Sequence, residues 1–84
     1  MILSLERELA LVKVVGLGDK RVEALRIADI FRARAVDSTR ESFVFEISGS
    51  TEKLDAFIGL MAGLGMVDLS RTGVVAISRG VQGL

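Results

Sequence analysis

The sequence predicts an α+β domain in which one four-stranded antiparallel sheet carries two helices on a single face. Three observations predict it. Two segments place apolar residues at helical spacing, each preceded by a glycine-containing break and a capping residue. Four segments rich in β-branched or alternating apolar residues surround them. Their order is strand, helix, strand, strand, helix, strand, and two βαβ halves with right-handed crossovers put both helices on the same side of the sheet.

The first strand is expected over Glu8–Val15, a β-branched apolar run closed by Gly16 and Gly18. Asp19 is the expected N-cap of helix one. In that helix Val22, Ala24, Leu25, Ile27, Ala28, Ile30 and Phe31 form a broad apolar stripe reaching about Ala33. Glu23 and Arg26 stand three apart, acid first, the favourable order on a solvated face. Arg34–Thr39 is mixed and suits an edge strand, and Arg40-Glu41 makes the turn after it. Ser42–Ser48 alternates, with Phe43, Phe45 and Ile47 pointing one way and Val44, Glu46 and Ser48 the other. Gly49-Ser50-Thr51 breaks this strand and supplies a cap for helix two. Its apolar face is Leu54, Phe57, Ile58, Met61 and Leu64, and it should end at Gly63 or Gly65. The last element, Met66–Ser78, is long for a strand and should bulge or bend at Gly73. The tail Arg79–Leu84 holds two glycines and should fray. The whole reads as one ferredoxin-like βαββαβ domain spanning residues 1–84.

A chain of 84 residues buries only roughly 60–65% of the surface it exposes when unfolded. Yet 50% of its residues are apolar before its 9 glycines are counted, against ~45–50% for an ordinary domain with glycine included. The surplus needs a place to be buried, and a second copy or a partner supplies one. The open face of the sheet is the expected place, through Val44 or members of the Leu9–Val15 run.

Cysteine and histidine are both absent, which removes disulfides and the usual ligands of zinc or a redox metal. The carboxylates are scattered with no Asp-x-Asp spacing. Without His or Cys no nucleophile is set up for activation, and no pair of acids converges in the sequence. Catalysis by this chain alone is therefore not expected, and no cofactor is. The 11 basic and 11 acidic residues cancel, so no long-range field draws in nucleic acid or an anionic membrane. No apolar run approaches the ~20 residues of a membrane span, and Met1–Arg7 lacks a basic leader. A cytoplasmic protein is expected.

Gly16-Leu17-Gly18-Asp19 joins strand to helix, where backbone amides can hold an anion. Position 21, where a dinucleotide loop needs its third glycine, is Arg21. A tight turn is the simpler account of Gly16 and Gly18. A small ligand held by Gly16, Gly18 and Asp19 is the alternative. Phe43 and Phe45 invite comparison with base-stacking sheets, but their alternation with Ile47 aligns them with the helix-covered side. Arg32, Arg34, Arg40, Arg71 and Arg79 have acids close by at Asp29, Asp37, Glu41 and Asp68, so a basic patch is not expected. Arg71-Thr72-Gly73 stands out as a polar tripeptide inside an apolar strand, suited either to a strand bend or to contact with a partner subunit. The candidate partner surface is Val44, Arg71, Thr72, Gly73, Val75 and Ile77.

Four runs carry a family resemblance: Arg7-Glu8-Leu9-Ala10-Leu11-Val12-Lys13-Val14, then Arg26 to Asp37, then Lys53-Leu54-Asp55-Ala56-Phe57-Ile58, then Arg71-Thr72-Gly73 with Arg79-Gly80. In this order they resemble the C-terminal domain of the small, regulatory subunit of acetohydroxyacid (acetolactate) synthase, over nearly the whole chain. The resemblance implies a ferredoxin-like fold, a homodimer, and a non-catalytic subunit that supports a thiamine-diphosphate-dependent large catalytic subunit in branched-chain amino-acid biosynthesis. In that family an ACT domain precedes this region and holds the valine site. The sequence lacks one, so valine feedback of the usual kind is not expected. Ala62-Gly63-Leu64-Gly65 departs from the family, which commonly has a proline and an aromatic residue before the last glycine. The alternative reading is a stand-alone ACT-like dimer that senses a small metabolite near Gly16–Asp19 or between its copies.

Overall fold

The computed structural model describes residues 4–78. The tail Arg79–Leu84, with its expected fraying, lies outside them. The elements are β1 (Ser4–Val15), α1 (Asp19–Ile30), β2 (Arg34–Ser38), β3 (Ser42–Gly49), α2 (Thr51–Ala62), β4 (Met66–Arg71) and β5 (Val75–Ser78). The sheet runs β2-β3-β1-β4 with every pairing antiparallel, and β5 pairs with the first residues of β1. This is the expected ferredoxin-like arrangement, its last strand divided in two.

Alternation decides which face is covered. Ala10, Val12 and Val14 of β1 and Phe43, Phe45 and Ile47 of β3 are buried beneath Ala24, Ile27 and Ala28 of α1 and Leu54, Phe57 and Met61 of α2. Phe45 meets Phe57 edge-on at 6.2 Å and Phe31 meets Phe57 at 5.5 Å, both separations favourable for aromatic pairs. Burying each such ring contributes about 1.5–3 kcal/mol.

The broad stripe expected on α1 is narrower in the structure. Val22 and Ile30 are 64% and 67% exposed, and Leu25 is exposed too. Ala24, Ile27 and Ala28 are the residues of the helix that are buried, and Phe31 just past its end packs against the core, while the flanking Val22, Leu25 and Ile30 stay uncovered. The helix also stops at Ile30 rather than near Ala33. Arg32 adopts φ 57°, its N–H donates to the Asp29 carbonyl, and the Ala33 N–H donates to the Ala28 carbonyl at 2.8 Å. These bonds form a Schellman motif that ends the helix at a left-handed residue other than glycine. At the other end Gly18 occupies the cap position, with Asp19 already in the first turn and no side chain capping the helix. In α2 the expected cap is present, since the Ser50 hydroxyl accepts from the Lys53 N–H at 3.2 Å.

The strand expected over Met66–Ser78 breaks between Arg71 and Val75. Ala10 faces Arg71 and Arg7 faces Val75, so Glu8 and Leu9 stand against Thr72, Gly73 and Val74. One extra residue on the outer strand is a β-bulge, the bend foreseen at Gly73. A second irregularity leaves Val67 unpaired between Val14↔Met66 and Lys13↔Asp68, and a third leaves Val36 unpaired in β2. Both edges of the four-stranded sheet are therefore bulged. Beyond Glu8, β1 and β5 continue as a two-stranded ribbon whose Leu5, Glu6, Arg7, Val75 and Ala76 are all exposed, so neither helix covers it.

Candidate functional site

The uncovered side of the sheet is the first component of the candidate site. Along β1 it presents Leu9, Leu11, Lys13 and Val15, which face Ser48, Glu46, Val44 and Ser42 across the β3 ladder. On the other flank Leu11 faces Ser70 and Lys13 faces Asp68. A shallow depression of about 180 Å³ lies among Leu11, Lys13, Val44, Asp68, Leu69 and Ser70. Val44 thus stands on the open face, half-buried. The face is more charged than the aliphatic surface expected from the sequence, because Lys13, Glu46 and Asp68 interleave with its leucines and valines. Glu46 pairs with Arg34 at 3.7 Å at the β2 rim.

Arg71 lies on the opposite side of the sheet. The bulge at Val67 shifts the alternation of β4, so Arg71 faces Ala10 and shares its helix-covered side. Its Nε donates to Glu8 Oε1 at 2.6 Å, its Nη2 to Glu8 Oε2 at 2.9 Å, and its Nη1 to Asp55 Oδ1 at 2.8 Å. The Thr51 hydroxyl donates to Glu8 Oε2 at 3.4 Å. Glu8 is only 5% exposed, and the forked guanidinium supplies the partner that a buried carboxylate requires. The bonds from Arg71 hold the Glu8 pKa below the ordinary carboxylate value against the opposing effect of desolvation. Glu8 and then Asp55 in turn raise Arg71 above its usual value.

Thr72 and Gly73 complete a joint between the covered sheet and the ribbon. The Thr72 N–H donates to the Leu9 carbonyl at 2.9 Å, and the Leu9 N–H donates to Thr72 Oγ1 at 3.1 Å, so a side-chain oxygen replaces a ladder carbonyl at the bulge. The same hydroxyl donates to the Gly73 carbonyl, and Gly73 turns the chain at φ 81°. A second depression, about 310 Å³, opens here among Arg7, Glu8, Leu9, Ser48, Thr72 and Val75. Val75 is 66% exposed beside Arg7. Ile77 pairs through its backbone with Leu5, and its side chain lies outside those described. Of the residues singled out for a partner surface, Val44 and Val75 are thus outward-facing, while Arg71 and Thr72 are engaged within the chain.

Sequence reasoning passed over Glu8 and Asp55. A signal for Glu8 existed, since it shares the parity of Ala10, Val12 and Val14 and so had to point under the helices. Three of the four resembling runs meet here, through Glu8, Asp55 and Arg71.

The Gly16–Asp19 loop is tied to the turn between β2 and β3. The Gly16 N–H donates to the Glu41 carbonyl at 2.8 Å, Asp19 is exposed, and neither depression reaches the loop. Phe43 and Phe45 are buried on the helix side, with the Arg21 guanidinium 4.0 Å above the Phe43 ring, so neither can stack on a base. Among the described residues no helix is long and apolar enough to cross a membrane.

A ferredoxin-like sheet with helices on one face, the other face open and a part-buried ion-pair joint defines an α+β module with an uncovered sheet surface. The family profile described as the small subunit of acetolactate synthase matches residues 7–80. The chain belongs to that family. It is 48% identical over 77 residues to the "Probable acetolactate synthase small subunit" of Archaeoglobus fulgidus, covering 92% of this chain and 48% of that protein. It is 40% identical over 81 residues to the acetolactate synthase small subunit of Haemophilus influenzae, covering 95% and 50%. The crystal structure of the small subunit from Thermotoga maritima superposes with a TM-score of 0.84 at 39% identity, over 92% of this chain and 47% of that one. The chain spans about half the length of the relatives it matches.

Proposed function

We propose that this chain is a non-catalytic, self-associating part of the acetohydroxyacid (acetolactate) synthase machinery, joining a large catalytic subunit that carries the thiamine diphosphate. Its work is association, first as a homodimer and then with the large subunit, in cytoplasmic branched-chain amino-acid synthesis. The observation that carries the reading is the uncovered sheet face in a chain of this family. Leu11 and Val15 are exposed there on a central strand, where apolar residues are normally packed. The bulges of β2 and β4 support a contact through the face rather than along an edge, because a bulged edge is a poor template for an added strand. The exposed ribbon of β1 and β5 points the same way, since a two-stranded ribbon alone is marginal in water. With no His or Cys in the sequence, the chain has few means of activating a nucleophile itself.

Light scattering over a dilution series, alone and then with the cognate large subunit, tests the reading. The expected result is a dimer that co-elutes with the large subunit and changes its activity. A monomer that ignores the large subunit would overturn it.

A further inference from the structure

The charges of the open face are arranged in a way that selects how two copies meet. Lys13 is exposed at the centre of the β1 column, with Val44 beside it on β3 and Asp68 beside it on β4. Among the described residues Lys13 makes no side-chain hydrogen bond and no ion pair. Among the same residues Asp68 accepts only from the Leu69 N–H, at 2.9 Å. A cation and an anion on adjacent strands, ~4.8 Å apart between strand axes, are thus both left without an ionic partner. They flank the depression of about 180 Å³.

Two identical faces packed about a two-fold axis present the same columns to each other. An axis running along β1 would stack Lys13 on its own copy, and like charges in a desolvated contact repel. An axis between β1 and β3 would set Lys13 over Val44 and Leu11 over Glu46, burying each charge against an apolar side chain. An axis between β1 and β4, parallel to the strands, sets Lys13 over Asp68 of the second copy and Asp68 over its Lys13. The same axis lays Leu11 over the small Ser70, so neither column sets an apolar residue on a carboxylate there.

We infer that the occupant of the open face is a second copy of this chain, seated about a two-fold axis between β1 and β4, with Lys13 of each copy paired to Asp68 of the other. The inference rests on the reading of this face as the self-association surface and names the residues that fix its register.

Charge swapping between copies tests it. Lys13→Glu and Asp68→Lys should each raise the dimer dissociation constant at least about tenfold, since each homodimer then opposes like charges. An equimolar mixture of the two should recover to within about threefold of the unmodified protein, because only the mixed dimer restores both pairs. Circular dichroism should show every variant folded, as both positions are exposed. If either proves unfolded, Lys13→Gln and Asp68→Asn take its place, with a weaker loss expected in the same direction. A mixture no better than its components would overturn the cross-copy pairing, as would single variants that dimerise normally. In either case a wild-type dimer leaves the association surface standing. A wild-type protein that stays monomeric at every concentration would instead overturn that surface, and the pairing with it.

Discussion

Arg71 on the edge strand β4 grips Glu8 on the central strand β1 through two parallel bonds of 2.6 and 2.9 Å, although the two residues lie 63 apart in the sequence. The grip falls where the covered sheet gives way to the exposed ribbon, and Asp55 of α2 joins it from the helical layer. One guanidinium therefore ties a helix, a central strand and an edge strand together.

Arg71→Lys keeps the charge but loses the fork, so it should lower the melting temperature by several degrees. Glu8→Gln should do so at least as strongly by leaving a guanidinium half-satisfied. The two changes combined should cost less than their sum, because both remove the same interaction. Glu23→Gln, which breaks only an exposed pair with Arg26 on α1, should move the transition very little. Thermal unfolding followed by circular dichroism ranks the four variants.

Acid should loosen the same joint. Glu8 has a lower pKa in the folded chain than when unfolded, so its stabilising effect is complete above the ordinary carboxylate range and is lost as pH falls through the depressed folded value. Stability measured by urea unfolding should be flat toward neutrality and decline below about pH 4.5, the ordinary value for a glutamate. Glu8→Gln should flatten part of that decline. Glu23 is lowered as well, by Arg26, so a smaller acid dependence should persist in the variant.

Arg32 ends α1 in a conformation that costs an L-residue roughly 1–2 kcal/mol and glycine almost nothing. Arg32→Gly should therefore stabilise the fold by about 0.5–1 kcal/mol, once the greater flexibility of the unfolded glycine chain is set against the relief. Chemical denaturation detects a change of that size, and a destabilised variant would contradict the assignment of the Schellman motif.

Gly65 and Gly73 both have positive φ, at 100° and 81°, but their surroundings differ. A β-carbon at Gly65 would collide with the Val15 carbonyl, next to the bond in which the Val15 N–H donates to Gly65 at 2.9 Å. At Gly73 it would meet open space. Gly65→Ala should cost about 2 kcal/mol or more, and Gly73→Ala about 1 kcal/mol from backbone strain alone. Urea midpoints compared at equal slope give the difference.

Local pattern made much of this fold legible. The parity of Phe43, Phe45 and Ile47 placed them under the helices, Ser50 fell where a cap was needed, and Gly73 marked the bend. What escaped depends on distances between elements. Periodicity shows that Val22, Leu25 and Ile30 are apolar, but how α1 is turned against its neighbours decides whether they are covered. Asp19 is a good capping residue that stands one position too late, because Gly18 takes the turn. The ribbon part of β1 was missed since Ser4–Arg7 becomes a strand only by pairing with β5, on the order of seventy positions away. On the candidate site, Val44 could be read from alternation alone. Arg71 could be noticed, but not its direction, because the bulge at Val67 reverses the parity of the strand that carries it.

The unpaired Val36 and Val67 have a further consequence. A fibre grows when the last strand of one molecule templates the first strand of the next, and this requires a straight run of free amides and carbonyls. The kinks at both margins of the four-stranded sheet interrupt that run, which disfavours sideways polymerisation along those margins. Pairing through the open face about a two-fold axis, by contrast, closes on itself with a countable number of copies.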